Sequence, residues 1–111
     1  MTAFDFGEVV LVPFPFTDQT ATKKRPAVVV SSADFHQHHI NLIVMPVTSQ
    51  VTAAHFGEVE ITEWKKAGLV KESVVKPVIA TLEKRLVIRS LGTLEAEDQT
   101  ALRDGIKRLF G

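Results

Sequence analysis

The 111-residue chain contains no cysteine. A disulfide framework, a cysteine-type zinc site and a thiol nucleophile are therefore excluded, and the composition suits a reducing compartment. Tyrosine is absent and tryptophan occurs once, so the seven phenylalanines supply nearly all the aromatic surface. Phe4, Phe6, Phe14 and Phe16 crowd the N-terminal stretch, where local packing is expected of them. Net charge is also lacking: 13 basic side chains balance 13 acidic ones. Nucleic-acid-binding domains usually carry a basic excess. An anionic partner of this chain would have to be met by a local cluster, with weak long-range steering and a strong dependence on salt. No apolar run approaches the roughly 20 residues that span a bilayer, and the first eight residues lack the basic start and apolar stretch of a signal peptide. A soluble cytoplasmic protein without membrane association is expected.

What is present is enough apolar material, 45% of residues, for one domain over residues 1–111 with one core. Gly7-Glu8 opens a strand, Val9 to Val12, that Pro13 stops. Residues 14–22 read as a loop, with Pro15, Asp18 and Thr20 as punctuation. Residues 24–32 and 40–47 are the next strands. Their apolar residues are consecutive rather than alternating, which predicts cover on both faces. Asp34 to His39 reads as a short turn. Gly57 to Ile61 alternates and reads as a half-exposed strand. Thr62 to Ala67 carries the signals of a short helix, with Thr62 as N-cap and Gly68 as terminator. Ser73 to Leu82 is β-rich but interrupted by Pro77, and Leu86 to Leu91 reads as a last strand. Glu95 to Phe110 has acidic residues in its first turn, basic ones in its last and an apolar stripe of Leu102, Ile106 and Leu109, which predicts the one long helix. The order describes a compact, mostly antiparallel barrel or sheet with helices packed on it.

The residues with the most to say about chemistry are Lys23-Lys24-Arg25-Pro26 and Thr48-Ser49. Pro26 fixes its own φ and holds Arg25 in extended backbone, so a planar fork of donors suited to phosphate oxygens stands at a strand entrance. Thr48 and Ser49 offer two hydroxyls at the end of the next apolar strand. If the two strands pair antiparallel, the start of one lies beside the end of the other, and Arg25 and Thr48 share one rim. Phe14 reads as core, whereas Phe16 reads as core or as an exposed stacking surface for a base. His36, His38, His39 and His55 lack the spacing of known zinc motifs and read mainly as a solvated loop, with general-base chemistry left open. Glu58 and Glu60 read as solvated, and Trp64 as packing or interface.

Gly7-Glu8-Val9-Val10-Leu11-Val12, Arg25-Pro26-Ala27-Val28-Val29-Val30-Ser31, Pro46-Val47-Thr48-Ser49, Lys76-Pro77 and Leu91-Gly92-Thr93-Leu94 are each short. In this order and spacing the chain resembles the MazF/PemK (Kid-type) toxins of type II toxin–antitoxin modules over nearly its whole length. The resemblance implies an SH3-like barrel of the CcdB/MazF type with a C-terminal α-helix, a homodimer, and a metal-independent, cofactor-free endoribonuclease acting on single-stranded RNA such as mRNA. It implies attack by a ribose 2′-hydroxyl, giving 2′,3′-cyclic phosphate and 5′-hydroxyl ends, and inhibition by a cognate antitoxin whose disordered tail covers the RNA groove. It places the catalytic roles on Arg25 and Thr48 and the RNA-contacting loop on residues Phe16 through Lys24, with Thr17, Lys23 and Lys24 among them. The residues themselves add Ser49 as a second hydroxyl donor to the phosphoryl oxygens and Gln50 or Lys76 as contacts to bases or backbone. The same fold also serves toxins that bind DNA gyrase and cut nothing, so a non-catalytic toxin, or a family member that only binds RNA or antitoxin, stays open as the alternative.

Overall fold

Runs of valine set the centre of the molecule. The computed structural model describes residues 3–13, 23–50 and 56–111. Strands β1 (Glu8–Pro13), β2 (Lys24–Val29) and β3 (Asn41–Thr48) are successive antiparallel neighbours. With β4 (Val59–Ile61), β5 (Ser73–Val75), β6 (Ala80–Glu83) and β7 (Arg89–Thr93) they form an antiparallel sheet ordered β4-β5-β3-β2-β1-β7, with β6 also on β3. One edge of β3 meets β2. The other is shared end to end: β6 pairs with Asn41 to Val44, and β5 with Val47 and Thr48. The sheet divides there and curls into a half-barrel.

Successive residues of the central strands enter different cores, as their uninterrupted apolar runs require. Val9, Val28 and Met45 belong to one cluster, while Val10, Val29 and Val44 belong to another on the opposite face. All six are essentially without solvent exposure, and burying a side chain of this size stabilises the fold by about 1.5–3 kcal/mol. The first cluster is closed by the C-terminal helix, whose Leu102 is fully buried and whose Ile106 and Leu109 are partly so.

Several local expectations need correction. β2 ends at Val29 rather than at residue 32. The Ser31 hydroxyl turns inward, accepts from the Ile43 N–H at 2.9 Å and meets His36 Nε2 at 2.6 Å, taking the place of a strand partner. The expected turn after it is a helix, α1 (Ala33–His38), because Ser32 supplies an N-cap that accepts from the Phe35 N–H at 3.1 Å. His36 on α1 is buried, not solvated: Nδ1 lies 2.9 Å from the Phe4 carbonyl and Nε2 2.6 Å from the Ser31 hydroxyl. Residues 62–68 form a chain of turns instead of a helix. Pro77 does interrupt its segment, falling between β5 and β6. Residues 84–86 form a 3₁₀ turn, so the last strand begins at Arg89. The long helix, α2 (Ala96–Phe110), is present as expected.

Two fixings hold those turns, one to α2 and one to β7. Asp98 is 2% exposed, and its carboxylate accepts from the Thr62 N–H, the Thr62 hydroxyl and the Glu63 N–H at 3.0, 2.7 and 2.9 Å. Gly68 has φ +87°, and a β-carbon there would stand 2.0 Å from the Leu91 carbonyl oxygen of β7. Only glycine combines that backbone with so close an approach.

Candidate active site

The β2–β3 ladder decides where Arg25 and Thr48 stand. Ala27 pairs with Pro46, Val28 with Met45 and Val29 with Val44. Carried two residues further, this register sets Arg25 opposite Thr48. By strand alternation both side chains rise from the same face. Arg25 and Pro26 are paired on their other side with Val12 and Leu11 of β1, so the arginine backbone is held within the sheet. Thr48 is likewise paired with Val74 of β5. Both residues are half-buried.

They open into a cleft of about 660 Å³ lined by Lys23, Lys24, Arg25, Pro26, Val47, Thr48, Ser49, Gln50, Leu69, Val70, Lys71 and Ser73. Four of these are cationic and none is acidic, although the whole chain is neutral. Charge has been sorted locally, and the cleft suits an anion. The Thr48 hydroxyl oxygen already accepts from the Gln50 N–H at 3.1 Å. That bond tightens the turn after β3, and the hydroxyl proton is what Thr48 then offers to a ligand.

The structure thus brings together Arg25, Thr48, Ser49, Lys23, Lys24 and Gln50. Lys76 does not line this cleft; it is exposed just beyond β5, where its N–H donates to the Pro46 carbonyl at 2.9 Å. Phe14, Phe16, Thr17 and His55 lie outside the described residues. The cleft also contains a wall that the sequence did not announce, Leu69, Val70, Lys71 and Ser73. These residues are ordinary in type and distant in sequence. Only the pairing of β5 with the end of β3 delivers them there.

Among the described residues, no group of three or more histidine, cysteine, aspartate or glutamate side chains is placed to hold a metal ion. His36 is bonded to Ser31 and the Phe4 carbonyl, His38 Nδ1 to the Asp34 carbonyl at 2.9 Å, and the His39 ring stacks on Phe35 at 4.4 Å. No helix among these residues is long and apolar enough to cross a membrane.

A family model described as the PemK-like, MazF-like toxin of type II toxin–antitoxin systems matches residues 5–110. The chain belongs to this family. Solved toxins share its fold. Mycobacterium tuberculosis toxin MazF-mt6 is 23% identical, with 93% of this chain and 95% of that one covered and a TM-score of 0.77. A MazE–MazF complex from Deinococcus radiodurans (Form-III) gives 25% identity, coverage of 99% and 98%, and a TM-score of 0.76. A mycobacterial endoribonuclease in complex with its cognate antitoxin is 16% identical, covered at 100% and 96%, with a TM-score of 0.76. A comparison with curated proteins found no match.

Proposed function

We propose that this PemK-like toxin is an endoribonuclease that cuts single-stranded RNA, mRNA included, in the cleft between β2 and the end of β3. The reading is supported above all by the β2–β3 register, which extended two residues sets Arg25 against Thr48, in a cleft whose described lining residues include four cations and no carboxylate. In the reaction the ribose 2′-oxygen attacks the adjacent phosphorus, the bond from phosphorus to the 5′-oxygen breaks, and the 2′-hydroxyl proton leaves as the 5′-oxygen gains one. The products are a 2′,3′-cyclic phosphate and a 5′-hydroxyl. The nucleophile belongs to the substrate, so the protein's work is orientation and charge stabilisation, for which no metal ion is required. Arg25 donates to the phosphoryl oxygens as charge builds, Thr48 and Ser49 donate their hydroxyl protons, and Lys23, Lys24 and Gln50 hold the flanking strand.

A cognate antitoxin would silence the toxin by covering this cleft, in keeping with the antitoxin complexes known for its structural neighbours. Assembly as a homodimer is supported by a separate apolar patch. Phe56 and Phe110 are 75% and 71% exposed, and Val78 and Ile79 are also exposed. A β-carbon on Gly57 would stand 3.0 Å from both Pro77 and Leu109, so these segments adjoin. Contiguous exposed apolar surface of this kind marks interfaces.

The deciding experiment is cleavage of a long RNA with and without chelator. The wild type is expected to cut in both, and to leave a DNA analogue intact. Arg25→Ala and Thr48→Ala are each expected to lose about 100-fold or more in rate, the usual cost of removing one transition-state donor, while keeping the wild-type circular dichroism. A requirement for added divalent metal, or full activity in Arg25→Ala, refutes the mechanism. A topoisomerase-directed toxin would instead lose its effect when the end of α2 is altered.

A further inference from the structure

One wall of the cleft is an apolar side chain held out in solvent. Val70 is 88% exposed, the highest value for a large hydrophobic residue among those described. Its neighbours explain why it stays there. Leu69 is buried, and its N–H donates to the Trp64 carbonyl at 3.0 Å. Ser73 is buried, and its hydroxyl donates to the Lys71 carbonyl at 2.8 Å. Gly68 is pressed on the Leu91 carbonyl, and Thr62 and Glu63 are tied to Asp98. A short bridge pinned on both sides cannot fold inward to bury Val70.

The bridge leads into β5, where Val74 pairs with Thr48. Val70 and Lys71 therefore approach the reacting centre from the side opposite β2. Phosphate oxygens and ribose hydroxyls call for donors and charge, which Arg25, Lys24, Thr48 and Ser49 provide. An apolar contact is called for only by the flat face of a nucleobase, and Val70 is the one exposed apolar side chain among the described lining residues.

We propose that Val70 bears on the face of the nucleobase flanking the scissile phosphate and that Lys71 meets the next phosphate along, which makes this bridge a specificity-determining element of the cleft. The proposal rests on reading the cleft as the RNA-cleaving site.

The test uses the full chain and an oligoribonucleotide spanning a cut site mapped on a long transcript, together with copies in which each flanking base in turn is replaced by an abasic site. Single-turnover rates are compared. The wild type is expected to slow several-fold when one particular flanking base is missing. Val70→Ala is expected to lose most of that difference and Val70→Leu to keep it, since leucine preserves the apolar surface. Lys71→Gln is expected to leave the abasic difference intact and to make the slope of log rate against log salt shallower by about 0.7, the value for one phosphate contact on a single strand. Equal abasic penalties in wild type and Val70→Ala at every position overturn the role of Val70, and a wild-type salt slope in Lys71→Gln overturns that of Lys71. In both cases a cleaving wild type leaves the active-site reading standing. A wild type that cuts no RNA, or an Arg25→Ala variant that cuts normally, overturns the site and this inference together.

Discussion

Asp98 shows how much one side chain can organise. Its position in the first turn of α2 suggests a residue placed for the helix dipole. In the structure it is buried and accepts three hydrogen bonds from Thr62 and Glu63. Removing the carboxylate leaves two backbone N–H groups without their acceptor, and an orphaned donor costs about 1–3 kcal/mol. Asp98→Ala is therefore expected to lower unfolding free energy by about 2–3 kcal/mol, read from the urea midpoint at unchanged slope. Asp98→Asn, which keeps one acceptor oxygen, is expected to lose less. Equal stability of wild type and Asp98→Ala would show that the three bonds contribute nothing net.

At the scale of elements, the close seating of α2 on β4 makes a counter-intuitive prediction. Gly105 lies inside the helix, and alanine there would raise helix propensity by about 1 kcal/mol in an isolated peptide. A β-carbon at this position would stand 2.7 Å from Cγ2 of Val59, and a β-branched side chain has little freedom to withdraw. Gly105→Ala is expected to lower the melting temperature, not raise it. Combining it with Val59→Ala should recover part of the loss. The same elements show what could be read in advance. β1, β2, β3 and α2 announce themselves, because valine runs and an apolar stripe at helical spacing are strong periodic signals. The antiparallel pairing of β2 with β3 on which the placement of Arg25 and Thr48 depends is present. The turns at 62–68 imitate a helix in sequence, because Thr62 and Gly68 carry helix start and stop signals, but these stand too close together for a stable helix. α1 is not legible although Ser32 is a standard N-cap, since Ser31, Ser32, Ala33 and Asp34 read equally as breakers that end the strand in a turn. The burial of His36 depends on Ser31 and Phe4, contacts that no local pattern encodes. Leu69 to Lys71 could not be assigned to the cleft without knowing that β5 reaches the end of β3.

On the scale of the whole molecule, a neutral body carries two unlike surfaces. One is the cationic cleft, and the other is the apolar patch around Phe56, Val78, Ile79 and Phe110. If the patch is the seat of the homodimer, Phe110→Lys is expected to shift the sedimentation coefficient from dimer to monomer with the fold retained. Lysine is chosen because a cation suits the C-terminal end of α2. A wild type that sediments as a monomer throughout the micromolar range would remove this role from the patch.

The bridge from Gly68 to Ser73 has a bearing on how such toxins diverge. A segment clamped on a carbonyl at one end and locked into a strand at the other tolerates new side chains far better than added or deleted residues. Variation in what the cleft accepts should then arise by exchange at positions 70 and 71, at constant length. A library randomised at those two codons would be expected to yield folded proteins with new preferences, while one inserting a single residue between them would yield mostly unfolded chains.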